Sequence, residues 1–159
     1  MNKLLFSLMI VALTFVSCGP DVTKYNDTVV DLHTNVNNVH GDFDEKLDKA
    51  IESDSYADMK AAAEEALSKV DADTEKLKAL DVPSGAEAFQ ESAEKLFQSI
   101  RSTIEIGAKF STLTSESSED EINKLIDEYN AAIEEYSKLD DAMGAAQKDL
   151  AKAKGFELR

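Results

Sequence analysis

Apolar residues recur every three or four positions along most of the chain after residue 21, which is the spacing of one face of an α-helix. The first such stretch follows Asp21, whose side chain can accept hydrogen bonds from the amides at a helix start. We therefore predict a long first helix, whose apolar stripe consists of Val22, Tyr25, Val29, Leu32, Val36, Val39, Phe43, Leu47 and Ile51.

Three more apolar stripes with the same spacing follow, over residues 56–80, 86–110 and 122–153. Two serine–acid pairs have the spacing of a capping box and indicate where the second and fourth helices begin. These pairs are Ser55 with Asp58, and Ser118 with Glu121. The sequence thus predicts four helices with identifiable starts.

The connections between the stripes are short, and this determines the predicted architecture. The clearest is the turn at residues 81–85, where Pro83 disfavours helical backbone in the residue before it. Links of about four to seven residues join helices that reverse direction. We predict an all-α fold, an antiparallel up-down-up-down four-helix bundle over residues 22–154, with a C-terminal tail at 155–159.

Composition favours a single folded helical domain. The chain has 159 residues, of which 43% are hydrophobic and 31% charged, with only 6 Gly and 2 Pro, and this suits amphipathic helices better than a disordered segment. The net charge is −15. We expect no nucleic-acid partner, because the chain lacks the basic surface that would neutralise phosphates.

The first 17 residues have a different pattern. Lys3 precedes an apolar run over residues 4–16, which is shorter than the roughly 20 residues that cross a bilayer as a helix. A positive residue, an apolar run and a small residue are typical of a cleaved signal peptide. We predict a signal peptide at 1–17 and a short anchor and tether at 18–21.

The residues Phe15-Val16-Ser17-Cys18 resemble the lipobox of bacterial lipoproteins. This resemblance implies that the Cys18 sulfur receives diacylglycerol and that its amine is acylated after cleavage, which anchors the protein to a membrane. Several acyl chains hold firmly, since each buried methylene contributes about 0.8 kcal/mol. Gly19 resembles residues that permit outer-membrane delivery, so the implied location is the bacterial cell envelope, with the outer membrane favoured and either face open.

The remainder of the chain carries few signs of chemistry. It is loosely similar, through its length and Tyr25-Asn26-Asp27, to small all-helical surface lipoproteins of spirochaetes and Bacteroidetes. A nucleophile with its base, a phosphate-binding glycine loop and a pocketed pair of acids are all missing from the pattern. We expect no enzymatic activity and no cofactor, and predict a module that presents a surface to an envelope or extracellular protein partner.

Two alternatives place a ligand inside the bundle. His40 and Asp44 lie four residues apart but need ligands from other helices to hold a metal, while His33 lies about 10 Å away along the axis, so we assign no metal site. The second alternative is an apolar ligand pocket far from the N-terminus. It competes with ordinary core packing, and its lining consists of Phe43, Tyr56, Met59, Phe110 and Tyr129.

Charged residues divide between the two ends of the predicted bundle. Acids stabilise helix N-termini and bases stabilise C-termini, so the helix macrodipole explains this division without any function. The alternative is that the basic end meets lipid headgroups and the acidic end meets a cationic partner. The basic residues are Lys24, Lys76, Lys78, Lys148, Lys152, Lys154 and Arg159, and the acidic ones are Glu52, Asp54, Asp58, Glu116, Glu119, Asp120 and Glu121.

Overall fold

The computed structural model describes residues 21–114 and 116–158 and confirms the four-helix bundle. Within these residues there is no β-strand, and none of the helices is both long and apolar enough to cross a membrane. The predicted signal peptide, Cys18 and Arg159 lie outside the described residues. The helices are α1 (Val22–Glu52), α2 (Met59–Lys78), α3 (Glu87–Ala108) and α4 (Glu119–Lys154), with a 3-10 turn at Lys109–Thr112.

The starts of α1 and α4 confirm the predicted capping chemistry. Asp21 Oδ1 accepts hydrogen bonds from the amides of Thr23 and Lys24 at 2.9 and 3.3 Å. Ser118 Oγ accepts from the Glu121 amide at 3.3 Å, and the Glu121 carboxylate accepts in return from the Ser118 amide at 2.8 Å. These bonds satisfy amides that a helix start leaves without partners.

The capping box predicted at the start of α2 is wrong. Asp54, with a φ of 49°, and Ser55 instead close the end of α1. The Ser55 amide donates to the Ala50 carbonyl at 3.0 Å, and the Asp54 amide donates to the Ile51 carbonyl at 3.4 Å, which is the Schellman pattern. Because these residues serve the end of α1, α2 begins later, and the Asp58 side chain makes no capping hydrogen bond.

α3 ends earlier than its apolar stripe predicted. The helix stops at Ala108, and the next four residues tighten into the 3-10 turn. The Leu113 amide closes that turn by donating to the Phe110 carbonyl at 2.9 Å. This tighter winding places the Phe110 ring in the core, where it is fully buried.

Contacts along the bundle show that successive helices are antiparallel. Gln90, near the start of α3, donates to the Leu77 carbonyl near the end of α2 at 3.1 Å. Lys109, just after α3, pairs with Glu128 near the start of α4 at 2.8 Å. The Tyr25 hydroxyl donates to Gln90 at 2.6 Å, so α1 and α3 run parallel. The first turn of α1 and the last turn of α4 therefore lie at the same end.

The buried core is built mainly by the first three helices. α4 contributes only Met143, Leu150 and Ala151 to the buried residues, all in its last third. Each large buried apolar side chain stabilises the fold by about 1.5–3 kcal/mol. The largest fully buried side chains come from α1, α2, α3 and the 3-10 turn: Phe43, Phe89, Phe97, Phe110, Leu47, Leu77, Leu96, Ile100, Ile104, Val29, Val36 and Val70.

Gly107 allows rings from two other helices to approach α3 closely. A Cβ atom at this position would lie 2.5 Å from Phe43 Cε1 and 3.2 Å from Tyr129 Cε2. The first distance is far below van der Waals contact. The missing side chain at position 107 is therefore what admits the Phe43 ring.

We expect Gly107→Ala to lower the free energy of unfolding by about 1–3 kcal/mol, because the Phe43 ring must shift within a packed core. The matched control is Gly41→Ala in α1, where a Cβ would meet nothing within 4 Å. Alanine there should stabilise the helix by about 0.5–1 kcal/mol. Urea unfolding followed by circular dichroism measures both changes, and equal stability of the two variants would contradict the close packing at Gly107.

Candidate functional site

α1 and α4 meet through polar side chains. α4 packs its backbone closely against α3, whereas long side chains span the wider gap between α4 and α1. We call these contacts, together with the His40 imidazole, the polar seam. His40 lies between the pair at Asn37 and the pair at Asp44. The pairs are Asn26 with Gln147 at 3.0 Å, His33 with Asp140 at 3.0 Å, Asn37 with Tyr136 at 3.3 Å, and Asp44 with Tyr129.

His33 has two neighbours that require opposite protonation states. The Tyr136 hydroxyl donates to Asn37 Oδ1, which leaves the Asn37 amide nitrogen facing His33 Nε2 at 2.8 Å. An amide nitrogen only donates, so Nε2 must accept and be unprotonated. Asp140 Oδ1 lies 3.0 Å from the same Nε2 and would be satisfied only by a proton there. His33 is therefore poised between two hydrogen-bonding arrangements.

His40 is buried without a hydrogen-bond partner. Its side chain is 6% exposed, and its Nε2 atom makes no hydrogen bond. The nearest polar group is Asp44 Oδ1, at 3.5 Å, and the Tyr136 ring lies against the imidazole with centroids 5.2 Å apart. An unsatisfied buried polar atom costs free energy, so this position is a weak point of the seam.

Tyr129 links α4 to α1 near the other end of the seam. Its hydroxyl donates to Asp44 Oδ1, the same oxygen that faces His40. Burial, and then the hydrogen bond to Asp44, raise the pKa of Tyr129 well above its ordinary value. The phenol therefore keeps its proton and stays a donor across the physiological range.

Both imidazoles of the seam titrate below their ordinary range. Burial lowers the pKa of His33, and Asp140 opposes that shift only in part. Burial likewise lowers the pKa of His40 against the opposing effect of Asp44. The folded seam thus favours neutral histidines, in agreement with the acceptor role that Asn37 requires of His33.

The residues predicted to line a ligand pocket do come together in the structure. The rings of Tyr56 and Phe110 are 6.0 Å apart, those of Phe110 and Tyr129 are 6.5 Å apart, and Phe43 reaches the same region beside Gly107. Met59 is also buried. The four rings form an aromatic cluster, Met59 belongs to the same hydrophobic core, and ligand binding by these residues stays a prediction.

Metal-ligating side chains are spread out in the part of the chain that the structure describes. No group of three or more His, Cys, Asp or Glu residues is arranged there to hold an ion. His40 and Asp44 are neighbours, as their spacing predicted. The third side chain at this position is Tyr129, whose hydroxyl donates to Asp44.

The basic and acidic groups of residues lie at opposite ends of the bundle. The lysines of the basic group lie around the first turn of α1 and the last turns of α2 and α4, and the acidic group surrounds the starts of α2 and α4. The acidic side chains of that group are all exposed. Both the macrodipole interpretation and the partner interpretation fit this arrangement.

Sequence reasoning noticed the histidines but missed the polar seam. It treated His33 and His40 only as candidate metal ligands, and it placed Tyr129 in an apolar pocket rather than opposite Asp44. The available signal was the spacing of polar residues on α1, since Asn26, His33, Asn37, His40 and Asp44 recur every three, four or seven positions. Such spacing marks one continuous face of a helix.

Comparisons with known proteins add no relative. The chain matches no family model, no curated protein and no solved structure.

We expect the free energy of unfolding to fall as the pH drops below the ordinary histidine pKa of about 6.5. In that range the unfolded chain binds more protons than the folded protein, because folding lowers both histidine pKa values. The fall cannot exceed about 1.4 kcal/mol per pH unit for each histidine. Urea unfolding between about pH 7.5 and pH 5 measures it.

The control is the double variant His33→Gln with His40→Gln, which keeps hydrogen-bonding side chains but cannot titrate. Its unfolding free energy should depend less on pH than that of the unaltered protein, while the remaining acids titrate alike in both. Parallel pH profiles would show that the histidines play no part.

Proposed function

We propose that this protein is a non-enzymatic, lipid-anchored helical module of the bacterial cell envelope, which presents its surface to another envelope or extracellular protein. The observation that carries the proposal is the position of Cys18. It directly follows an apolar run and a small residue, and it precedes by only a few residues a helix that starts at Val22. A lipid on that sulfur would hold the bundle next to a bilayer.

The geometry of the bundle supports an upright orientation. A lipid on Cys18 would be joined to the end that holds the first turn of α1 and the last turn of α4. The helix α1, with 31 residues, is about 45 Å long at 1.5 Å per residue. The acidic end would then stand that far from the lipid, where a basic partner could reach it.

Two exposed apolar side chains support the same orientation. Val82, in the link between α2 and α3, and Leu158, in the tail after α4, are the large apolar residues that the described part of the chain leaves exposed. Both follow helices that end on the proposed membrane side. Contact with a bilayer would give these side chains an apolar environment, and the nearby lysines would meet the headgroups.

Replacing Cys18 with Ala should release the protein from membranes, because no acyl chain can then be attached. Fractionation of cells into soluble and membrane parts, with metabolic labelling by a fatty acid, measures the change. A suitable control is Ser7→Ala, which lies within the apolar run and leaves the cysteine in place. A Cys18→Ala protein that stayed in the membrane fraction, or carried label, would overturn the anchor.

The ligand-binding alternative predicts a different mass for the purified protein. Its support is the aromatic cluster of Phe43, Tyr56, Phe110 and Tyr129, with Met59 in the same core. If the distal aromatic and acidic half of the bundle holds a small ligand or a metal, protein purified from its own organism should carry additional mass in native mass spectrometry. A scaffold should show only the mass of the chain and its acyl groups, so mass beyond these would favour the alternative.

A further inference from the structure

His40 Nε2 is the buried side-chain atom that the described part of the chain leaves without a hydrogen-bond partner. Its side chain is only 6% exposed, and buried polar atoms are nearly always paired with protein, water or a ligand. Burial lowers the pKa of His40, so the imidazole is neutral near physiological pH. When its proton is on Nδ1, Nε2 presents a free lone pair, which is a good ligand for a transition-metal ion.

A carboxylate and a phenol lie near this nitrogen. Asp44 Oδ1 is 3.5 Å from His40 Nε2, and the Tyr129 hydroxyl donates to that same oxygen. Nitrogen and oxygen ligands that bind one ion at about 2.1 Å lie about 3–3.5 Å apart at octahedral or tetrahedral angles. His40 Nε2 and Asp44 Oδ1 therefore have the separation of two ligands of one ion, and Tyr129 brings a third oxygen to Asp44.

The third group comes from a second helix, as a metal site at His40 and Asp44 requires. These two residues lie four positions apart on α1, whereas Tyr129 belongs to α4. The described residues hold no group of three His, Cys, Asp or Glu side chains suited to an ion, and a tyrosine is outside that set. A site with a phenol ligand is therefore consistent with this absence.

The phenol determines which ion the three groups suit. Burial and the hydrogen bond to Asp44 raise the pKa of Tyr129 well above its ordinary value, so a weakly polarising ion would leave its proton in place. Coulomb attraction to a phenolate oxygen grows with the charge of the ion, and a strongly charged ion deprotonates the groups that coordinate it. Ferric iron is trivalent, and iron accepts imidazole, carboxylate and phenolate ligands.

We propose that His40, Asp44 and Tyr129 form a ferric-iron site between α1 and α4. His40 Nε2 and Asp44 Oδ1 each contribute a lone pair, and Tyr129 binds as the phenolate after its proton passes to water. The ion keeps its oxidation state. Water reaches the remaining coordination positions because the Asp44 side chain is 35% exposed. The proposal deepens the ligand-binding alternative by naming the ion and its ligands, and it does not depend on the lipid anchor.

The charges around the three groups favour a cation. Asp44 and Asp48 are the charged groups that act on Tyr129, and Asp44 is the one that acts on His40. Within the described residues, no base is among them. The whole chain carries a net charge of −15, so its field attracts cations and repels anions. A trivalent ion would therefore enter acidic surroundings.

His33 and Tyr136 provide matched comparisons in the same seam. His33 Nε2 already faces the Asn37 amide nitrogen at 2.8 Å and Asp140 at 3.0 Å, and it lies about 10 Å from His40 along the helix axis. The Tyr136 hydroxyl donates to Asn37. Changes at His33 and Tyr136 therefore alter the seam but leave the three proposed ligands in place.

Titration of the purified protein with ferric nitrilotriacetate near neutral pH tests the site. An iron–phenolate bond produces a visible charge-transfer absorption band, which iron bound by imidazole and carboxylate alone lacks. We expect this band to saturate at one iron per chain. The unfolding temperature should rise with the iron concentration, because only the folded protein brings the three ligands together. No band in the presence of excess iron would overturn the proposal.

Single variants assign the ligands. Tyr129→Phe should abolish the band, and His40→Gln and Asp44→Asn should each weaken iron binding by more than about tenfold, since even groups that only orient a metal ligand contribute that much. The controls Tyr136→Phe and His33→Gln should keep both the band and the affinity. Circular dichroism identifies the variants that fold, and the comparison uses these. A band that survives Tyr129→Phe, unchanged affinity in His40→Gln, or equal losses in the controls would refute the assignment.

Discussion

The burial of apolar surface by three helices is the constraint on which the rest of this structure depends. α1, α2 and α3 supply the largest fully buried side chains, and such a core needs a cover. α4 provides it, packing closely on α3 and pairing with α1 through the side chains of the polar seam. The fourth helix can therefore be long and largely polar, because most of the hydrophobic stabilisation arises among its neighbours.

This division of roles explains which features were predictable. The number of helices, the extent of α1 and the capping of α1 and α4 depend on local chemistry, and Asp21, Ser118 and Glu121 carry that chemistry within a few residues. The start of α2 was wrong because Asp54 and Ser55 complete the end of α1. The end of α3 was wrong because winding the chain more tightly brings Phe110 into the core.

The candidate site was only partly predictable. The aromatic cluster followed from apolar spacing, so Phe43, Tyr56 and Phe110 could be brought together from the sequence alone. The polar seam could not, because it depends on which α4 residue lies opposite each α1 residue. That pairing is determined by how far α4 is displaced along its axis, and short loops leave that displacement undetermined. The function proposed for the protein still rests on Cys18, which lies outside the described residues.

Polar pairs between α1 and α4 also have a consequence for folding. Contacts between hydrocarbon side chains have little directional preference, so apolar faces alone specify the axial position of α4 less sharply than polar pairs do, even against a displacement of two turns. A slip of α4 in one direction would set Asn37 opposite Met143, and a slip in the other would set Asp44 opposite Ile122. Either shift would leave hydrogen-bonding groups facing hydrocarbon side chains without partners. The polar seam therefore favours one axial position of α4 relative to α1.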